Sequence, residues 1–216
     1  MDLGSDYFLL LGDLKGSSSL TTDVSASVID TVRTALRTLS DAHAADLIRP
    51  MELNYGDEFA ALYRSPLRAY GAVSQIRDAL RGQTDFRFVV ARGRLGAKAD
   101  TLREMGGPVF KTASVALGSL KTSGTFGRWL IGTDLQNRTL SVLTNLVDDL
   151  IGEMTDYQYE VYRLTQEGMS GVEIAKHLDK TPQSVSKALV SSHGRTIIEA
   201  EALIRDQLAA KSIEKS

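Results

Sequence analysis

Two short stretches combine carboxylates with glycine and hydroxyl residues. The first, GDLKGSSSL (residues 12–20), follows an apolar run from Tyr7 to Leu11 and sets Asp13 just ahead of Gly16, Ser17 and Ser18. The second, NYGDEFAALY (residues 54–63), puts Asp57 directly after Tyr55-Gly56. If the segments carrying them lie side by side, both carboxylates reach one sheet edge. At about 4 Å, two like charges repel by roughly 4 kcal/mol at an effective dielectric near 20, so an ionised pair needs a cation between them or a solvated gap. Hard divalent ions take one or two carboxylates plus phosphate oxygens. Asp13 and Asp57 are therefore candidate ligands, with Mg²⁺ the candidate ion. The backbone amides of Leu14, Lys15, Gly16, Ser17 and Ser18 would cradle a phosphate, Gly16 allowing close approach. The plainer alternative is that each aspartate is only a turn residue beside a glycine.

A third pattern lies near the C-terminus, in LTQEGMSGVEIAKHLDKTPQSVSKAL. Gly168 ends one helix, and a second carries Val172, Ile174, Ala175 and Leu178. After a short turn, Thr181-Pro182 starts a third helix with a threonine cap and proline at its first position. Val185 and Leu189 face inward, four apart. This is helix-turn-helix spacing, with a small Ala175 at the crossing and the third helix suited to the major groove of double-stranded DNA. Gln183, Ser184, Ser186 and Lys187 then project from the start of that helix, and Gln pairs bidentately with adenine. Lys180, Thr181 and Arg195 complete the candidate DNA-binding set. From Thr155 to Ser216 there are eight basic and nine acidic residues, which favours a plain helical bundle. Between Gly168 and Arg195, however, Lys176, Lys180, Lys187 and Arg195 face only Glu173 and Asp179, gathering positive charge where phosphates would lie. A single module with so few phosphate contacts binds weakly, so a homodimer with two half-sites is expected.

The elements that position these residues follow from periodicity. YFLLLGD reads as a strand buried on both faces. Thr22 or Asp23 caps a helix whose apolar stripe is Val28, Ile29, Val32, Ala35, Leu36 and Leu39. IRPMELNYGDEFAALYR reads as a hairpin turning at Tyr55-Gly56-Asp57. Pro66 opens a helix to about Leu80, and FRFVVARGRLG is a further strand. GAKADTLREMGGP is a loop, VFKTASVALGSL a helix, and GRWLIGT a last strand. The order predicts an α+β fold with a mostly antiparallel sheet, helices on one face, followed by an all-α helix-turn-helix domain. Leu140, Leu143, Val147, Leu150 and Met154 keep heptad-like spacing, either the seam of a paired helix or a linker helix lying on its own domain. The expected divisions are 1–134, a linker or dimerisation helix 135–154, and 155–216.

Composition sets limits on all of this. The 216 residues carry a net charge of −2, with 43% hydrophobic and 24% charged, the balance of a globular chain with no general field for nucleic acid. The absence of cysteine excludes disulfides and thiol nucleophiles. No apolar run approaches the roughly 18 residues of a membrane span, and a cytoplasmic location is expected. His43, His177 and His193 are too scattered for a metal site.

GDLKGSSSL resembles the first-strand signature of the class III nucleotide cyclase fold. YGDEFAAL resembles that fold's second metal-binding hairpin and the GGDEF signature of diguanylate cyclases, with Tyr55 replacing the first glycine. FRFVVARGRLG and GGPVFKTASVAL resemble the strand and glycine-led helix that follow, and with the C-terminal helix-turn-helix the whole chain is most similar to the SatD family. The resemblance implies that Asp13 and Asp57 are the two metal aspartates, that Leu14 to Ser18 form a triphosphate loop, and that Lys111 and Val115 stand where cyclases carry an asparagine and an arginine. Gly93-Arg94 stands where relatives often have an acidic residue. Without the arginine, phosphoryl transfer loses several kcal/mol of transition-state stabilisation. Lys111 is left as a point-charge nucleotide contact. The expected function is a nucleotide-responsive, dimeric DNA-binding regulator. The alternatives are an active nucleotidyl cyclase or nucleotidyltransferase, or a cyclase-like domain serving only as a dimerisation scaffold.

Overall fold

The computed structural model describes residues 2–15, 22–54 and 57–211. The amides of Gly16, Ser17 and Ser18, the cap at Thr22 or Asp23, and the turn residues Tyr55 and Gly56 lie outside the described residues or side chains. The chain divides into two compact units, residues 1–141 with 207–216, and residues 142–206.

In the first unit the elements run β1 (Tyr7–Leu14), α1 (Thr22–Ala42), β2 (Leu47–Asn54), β3 (Glu58–Tyr63), α2 (Pro66–Leu80), β4 (Phe86–Gly93), α3 (Leu102–Met105), α4 (Pro108–Ser123) and β5 (Gly127–Leu130). The strands form one sheet in the order β2-β3-β1-β4-β5. β1 is antiparallel to both β3 and β4, and only β4 and β5 are parallel. The central place of β1 explains its apolar run: all eight of its residues are buried. β2 lies at one edge, where Pro50 and two register shifts do little harm.

Alternation along β1 sorts the core into two layers. Tyr7, Leu9 and Leu11 pack with Ala60, Leu62, Val89 and Ala91 against Val109, Ala113, Leu117 and Leu120 of α4. The opposite face carries Phe59, Phe88 and Trp129, with Tyr70 of α2 against Trp129. The expected mostly antiparallel α+β sheet is present. Helices on one face hold for α1 and α2, which pack on each other, while α4 covers the other face. The crossover from β4 to β5 therefore has the opposite hand to those made by α1 and α2. Glycine allows a close approach at two places, Gly107 at the start of α4 and Gly12 on the opposite face of the sheet. A Cβ on Gly107, at φ 101°, would fall 2.2 Å from the backbone nitrogen of Gly96. A Cβ on Gly12 would fall inside the Phe59 ring.

The second unit contains most of α5 (Asp134–Gly152), then α6 (Asp156–Gln166), α7 (Gly171–His177), α8 (Pro182–Ser191) and most of α9 (Gly194–Ala209). Capping boxes at Thr155/Gln158 and Ser170/Glu173 start α6 and α7, and the Thr181 hydroxyl accepts from the Ser184 amide at the start of α8. Gly168, at φ 91°, follows α6 as its spacing predicts. Val161, Leu164, Ile174, Ala175, Val185, Ala188 and Leu189 form one core. Of the apolar residues on α7, Val172 is 69% exposed, because it lies about 200° around the helix from the buried Ile174. Of the heptad-like positions, Leu140 and Val147 on α5 and Met154 just beyond it are buried within the chain itself. No helix of the described residues is long and apolar enough to cross a membrane.

Candidate functional site

Strand register brings the two aspartates to one end of the sheet. Asp13 lies opposite Glu58 on β3 and opposite Arg87 on β4. The Leu14 amide donates to the Asp57 carbonyl at 3.1 Å, and the Lys15 amide to the Asp85 carbonyl at 2.7 Å. Asp57 therefore stands one residue beyond the β3 end that Asp13 faces. The amide-rich loop leaves the sheet at the same place.

The surroundings of Asp13 differ from a solvated acidic pair. Its side chain is 4% exposed. Oδ1 accepts from the Lys121 ammonium at 3.0 Å, reaching back from the last turn of α4, and Oδ2 from the Arg87 guanidinium at 3.4 Å. Glu58 has its carboxyl pushed above the usual glutamate range by burial; Lys121 pulls it down, while Asp13 and Asp57 push it further up. Lys15 is 3.7 Å from Asp85 and lies over the Phe126 ring. The edge is thus a mixed ionic cluster in which positive side chains already balance Asp13.

A divalent ion does not fit this donor set as it stands. Mg²⁺ binds carboxylate oxygen at about 2.1 Å, so on Asp13 it would lie within about 5 Å of the ammonium or guanidinium already there. Among the described residues, no group of three or more His, Asp or Glu side chains could hold a metal.

Lys111 is not brought to this edge within one chain. It lies ten residues before Lys121 on α4, about 15 Å along the axis, at the end of the helix near Gly93. Val115 is exposed on the same helix. The residues that meet Asp13 are ones the motif reading passed over: Lys121, Arg87 and Glu58. Arg92, near the end of β4, is paired with Asp6 at 3.1 Å.

The helical unit assembles the other candidate set. Lys180, Thr181, Gln183, Ser186, Lys187 and Arg195 are exposed, and Ser184 is half-buried. The turn between α7 and α8 runs through Asp179 at φ 52°, a left-handed position aspartate tolerates, and is closed by the Lys180 amide on the Ala175 carbonyl at 2.8 Å. Two of the predicted contacts are engaged inside the unit. The Thr181 hydroxyl caps α8, and the Ser184 hydroxyl meets the Tyr157 hydroxyl at 3.0 Å. Gln183, Ser186 and Lys187 remain as the outward face of α8 near its N-terminus, with Val190 exposed one turn on.

No family model and no curated protein matches the chain. Among solved structures, two of a bacterial light-regulated adenylyl cyclase are similar over 58% of this chain, at 11% identity and TM-scores of 0.40 and 0.41. This chain covers 42% of the first and 75% of the second, so it spans less than half the length of the first. A regulator of polyketide synthase expression from Bifidobacterium adolescentis is similar over 94% of this chain and 87% of its own, at 15% identity and a TM-score of 0.28. At such identities and scores none of them assigns a site or an activity.

Proposed function

We propose that the protein is a DNA-binding transcriptional regulator whose α+β unit binds a nucleotide or nucleotide second messenger, and which works as a homodimer. The observation that carries this reading is the helical unit: three capped helices around one core, with Gln183, Ser186 and Lys187 on the free face of α8 and Lys180 and Arg195 exposed nearby in sequence. The sensing half is supported by the convergence of Lys15, Lys121 and the start of the 14–18 loop on the Asp13 edge, and by the motifs that resemble the SatD family. The cyclase alternative needs two metals on Asp13 and Asp57 and a transition-state arginine. The cations on Asp13 and the valine at 115 weigh against it.

The test is selection of bound duplexes from a random pool, followed by fluorescence anisotropy with the full chain. Gln183→Ala is expected to relax preference at one base position by about 1–3 kcal/mol. Lys187→Ala should weaken binding to all sequences and make the salt dependence shallower by about one counterion. Nucleotides added to the same assay should shift affinity by about 5- to 150-fold, the range of ordinary allosteric coupling. Failure to enrich any sequence rejects the DNA reading, and unchanged affinity across ATP, GTP and cyclic dinucleotides rejects the sensing half.

A further inference from the structure

We infer that the Lys121 ammonium holds the position that a divalent cation would take beside Asp13, so that this edge of the sheet is complete without a metal. Asp13 is the buried carboxylate of the central strand, and both of its oxygens are engaged by cations from the chain itself. Lys121 meets Oδ1 at 3.0 Å and Arg87 meets Oδ2 at 3.4 Å. The two come from different elements, α4 and β4, so neither contact is an accident of local sequence. Arg87 is only 19% exposed, and its Nε is buried without a hydrogen-bond partner among the described residues, so this guanidinium is committed to the cluster rather than to solvent. The Lys121 side chain, by contrast, is 48% exposed, as expected for a long side chain that reaches over the edge to place its ammonium on Asp13. A metal ion approaching Asp13 must displace that head group. The inference rests on the geometry of the edge and stands whether or not the ligand is a nucleotide.

Thermal unfolding of the full chain, with Mn²⁺ or Mg²⁺ set against EDTA at matched ionic strength, tests it directly. Wild type is expected to show no metal-dependent change in Tm and no saturable Mn²⁺ binding by electron paramagnetic resonance. Lys121→Ala should unfold earlier in EDTA, and millimolar Mn²⁺ should then raise its Tm by about 3 °C or more through binding to the native state alone. Adding Asp13→Asn to Lys121→Ala should abolish the gain. If Lys121→Ala does not fold, Lys121→Gln keeps most of the length without the charge and is read in the same way. Saturable Mn²⁺ binding to wild type that Asp13→Asn removes would overturn the inference, and so would a folded Lys121 variant that gains no metal response. Neither result bears on DNA binding, so the two proposals fail separately.

Discussion

Asp13 sits in the middle strand with almost no solvent, and Arg87 and Lys121 balance its charge. Removing the carboxylate leaves Arg87 as a poorly solvated cation, whereas Lys121 can swing into water. Asp13→Ala is accordingly expected to cost about 1–3 kcal/mol, below the range for a fully buried pair because one partner is half-exposed. Urea denaturation checks this, and an unchanged midpoint would mean the pairs do not hold the edge. His43 offers a second residue-scale experiment. Its Nδ1 is hydrogen-bonded to the Tyr63 hydroxyl at 3.3 Å, the donor being set by the imidazole tautomer, and burial pushes the ionisation of that phenol far up. Burial first and Arg68 second push the imidazole below its ordinary value of 6.5, with Asp46 opposing. The unfolded chain then takes up a proton before the folded one does. Stability is full above about pH 6.5 and falls as the pH drops through the lowered native value. His43→Gln, which keeps an acceptor for Tyr63, should flatten the difference in urea midpoint between pH 7.5 and pH 5; an undiminished pH difference would place its origin elsewhere. Asp13 and Asp57 stand out in the sequence because each follows a glycine, one closing an apolar run and the other just ahead of one. Lys121 does not, since a lysine near a helix end reads as a solvated residue until register and helix packing bring it back over β1.

At the scale of elements, glycines and one buried glutamate decide how surfaces meet. Phe59 on β3 packs flat over Gly12 on β1, and Phe88 on β4 over Gly127 on β5. The glycine ahead of Asp13 thus makes room for an aromatic ring from the neighbouring strand. Gly12→Ala should destabilise the first unit by about 1–3 kcal/mol through overpacking, read as an earlier Tm, and it should do so without any ligand present. A neutral result would mean the ring can move aside. In the helical unit, Glu201 of α9 is buried and accepts from the Tyr162 hydroxyl of α6 at 2.8 Å, with Gln166 and Arg205 also on it. Glu201→Ala should cost about 1–3 kcal/mol by leaving these donors without an acceptor, and Tyr162→Phe less; equal, negligible losses in urea would deny the contact that role. Here the pattern was partly readable. Ile197, Ile204 and Leu208 set a buried stripe on α9 and Glu201 falls squarely in it, but its partners lie some forty residues back. Strand and helix order were largely visible from period and punctuation. The second layer was not, because α4 has small residues, Ala113 and Ala116, on a face that does not announce which side of the sheet it covers.

The whole molecule carries a net charge of −2, so attraction to DNA has to be local, and that makes its salt dependence a diagnostic. Lys180, Lys187 and Arg195, the cations of the candidate DNA-binding set, are all exposed. Three phosphate contacts per module give a slope of log affinity against log salt near −2.7, and two modules on one duplex about twice that. A chain that binds as a monomer should therefore show the shallow slope at every protein concentration. A dimer should show the steep one, with affinity falling off sharply once the protein is diluted below its own dimer dissociation constant. The helix α5 supplies the variant that separates the two, since Leu135, Val142 and Leu146 lie exposed on one side of it at intervals of seven and four. That is heptad spacing, on a face distinct from the one the chain buries. Val142→Glu, at a position that is 59% exposed, should leave the thermal transition in place while converting the steep slope to the shallow one and reducing the sedimentation coefficient to that of a single chain. If the wild type already sediments as a single chain and binds with the shallow slope, pairing through this helix is wrong, and the DNA reading would have to rest on one module alone.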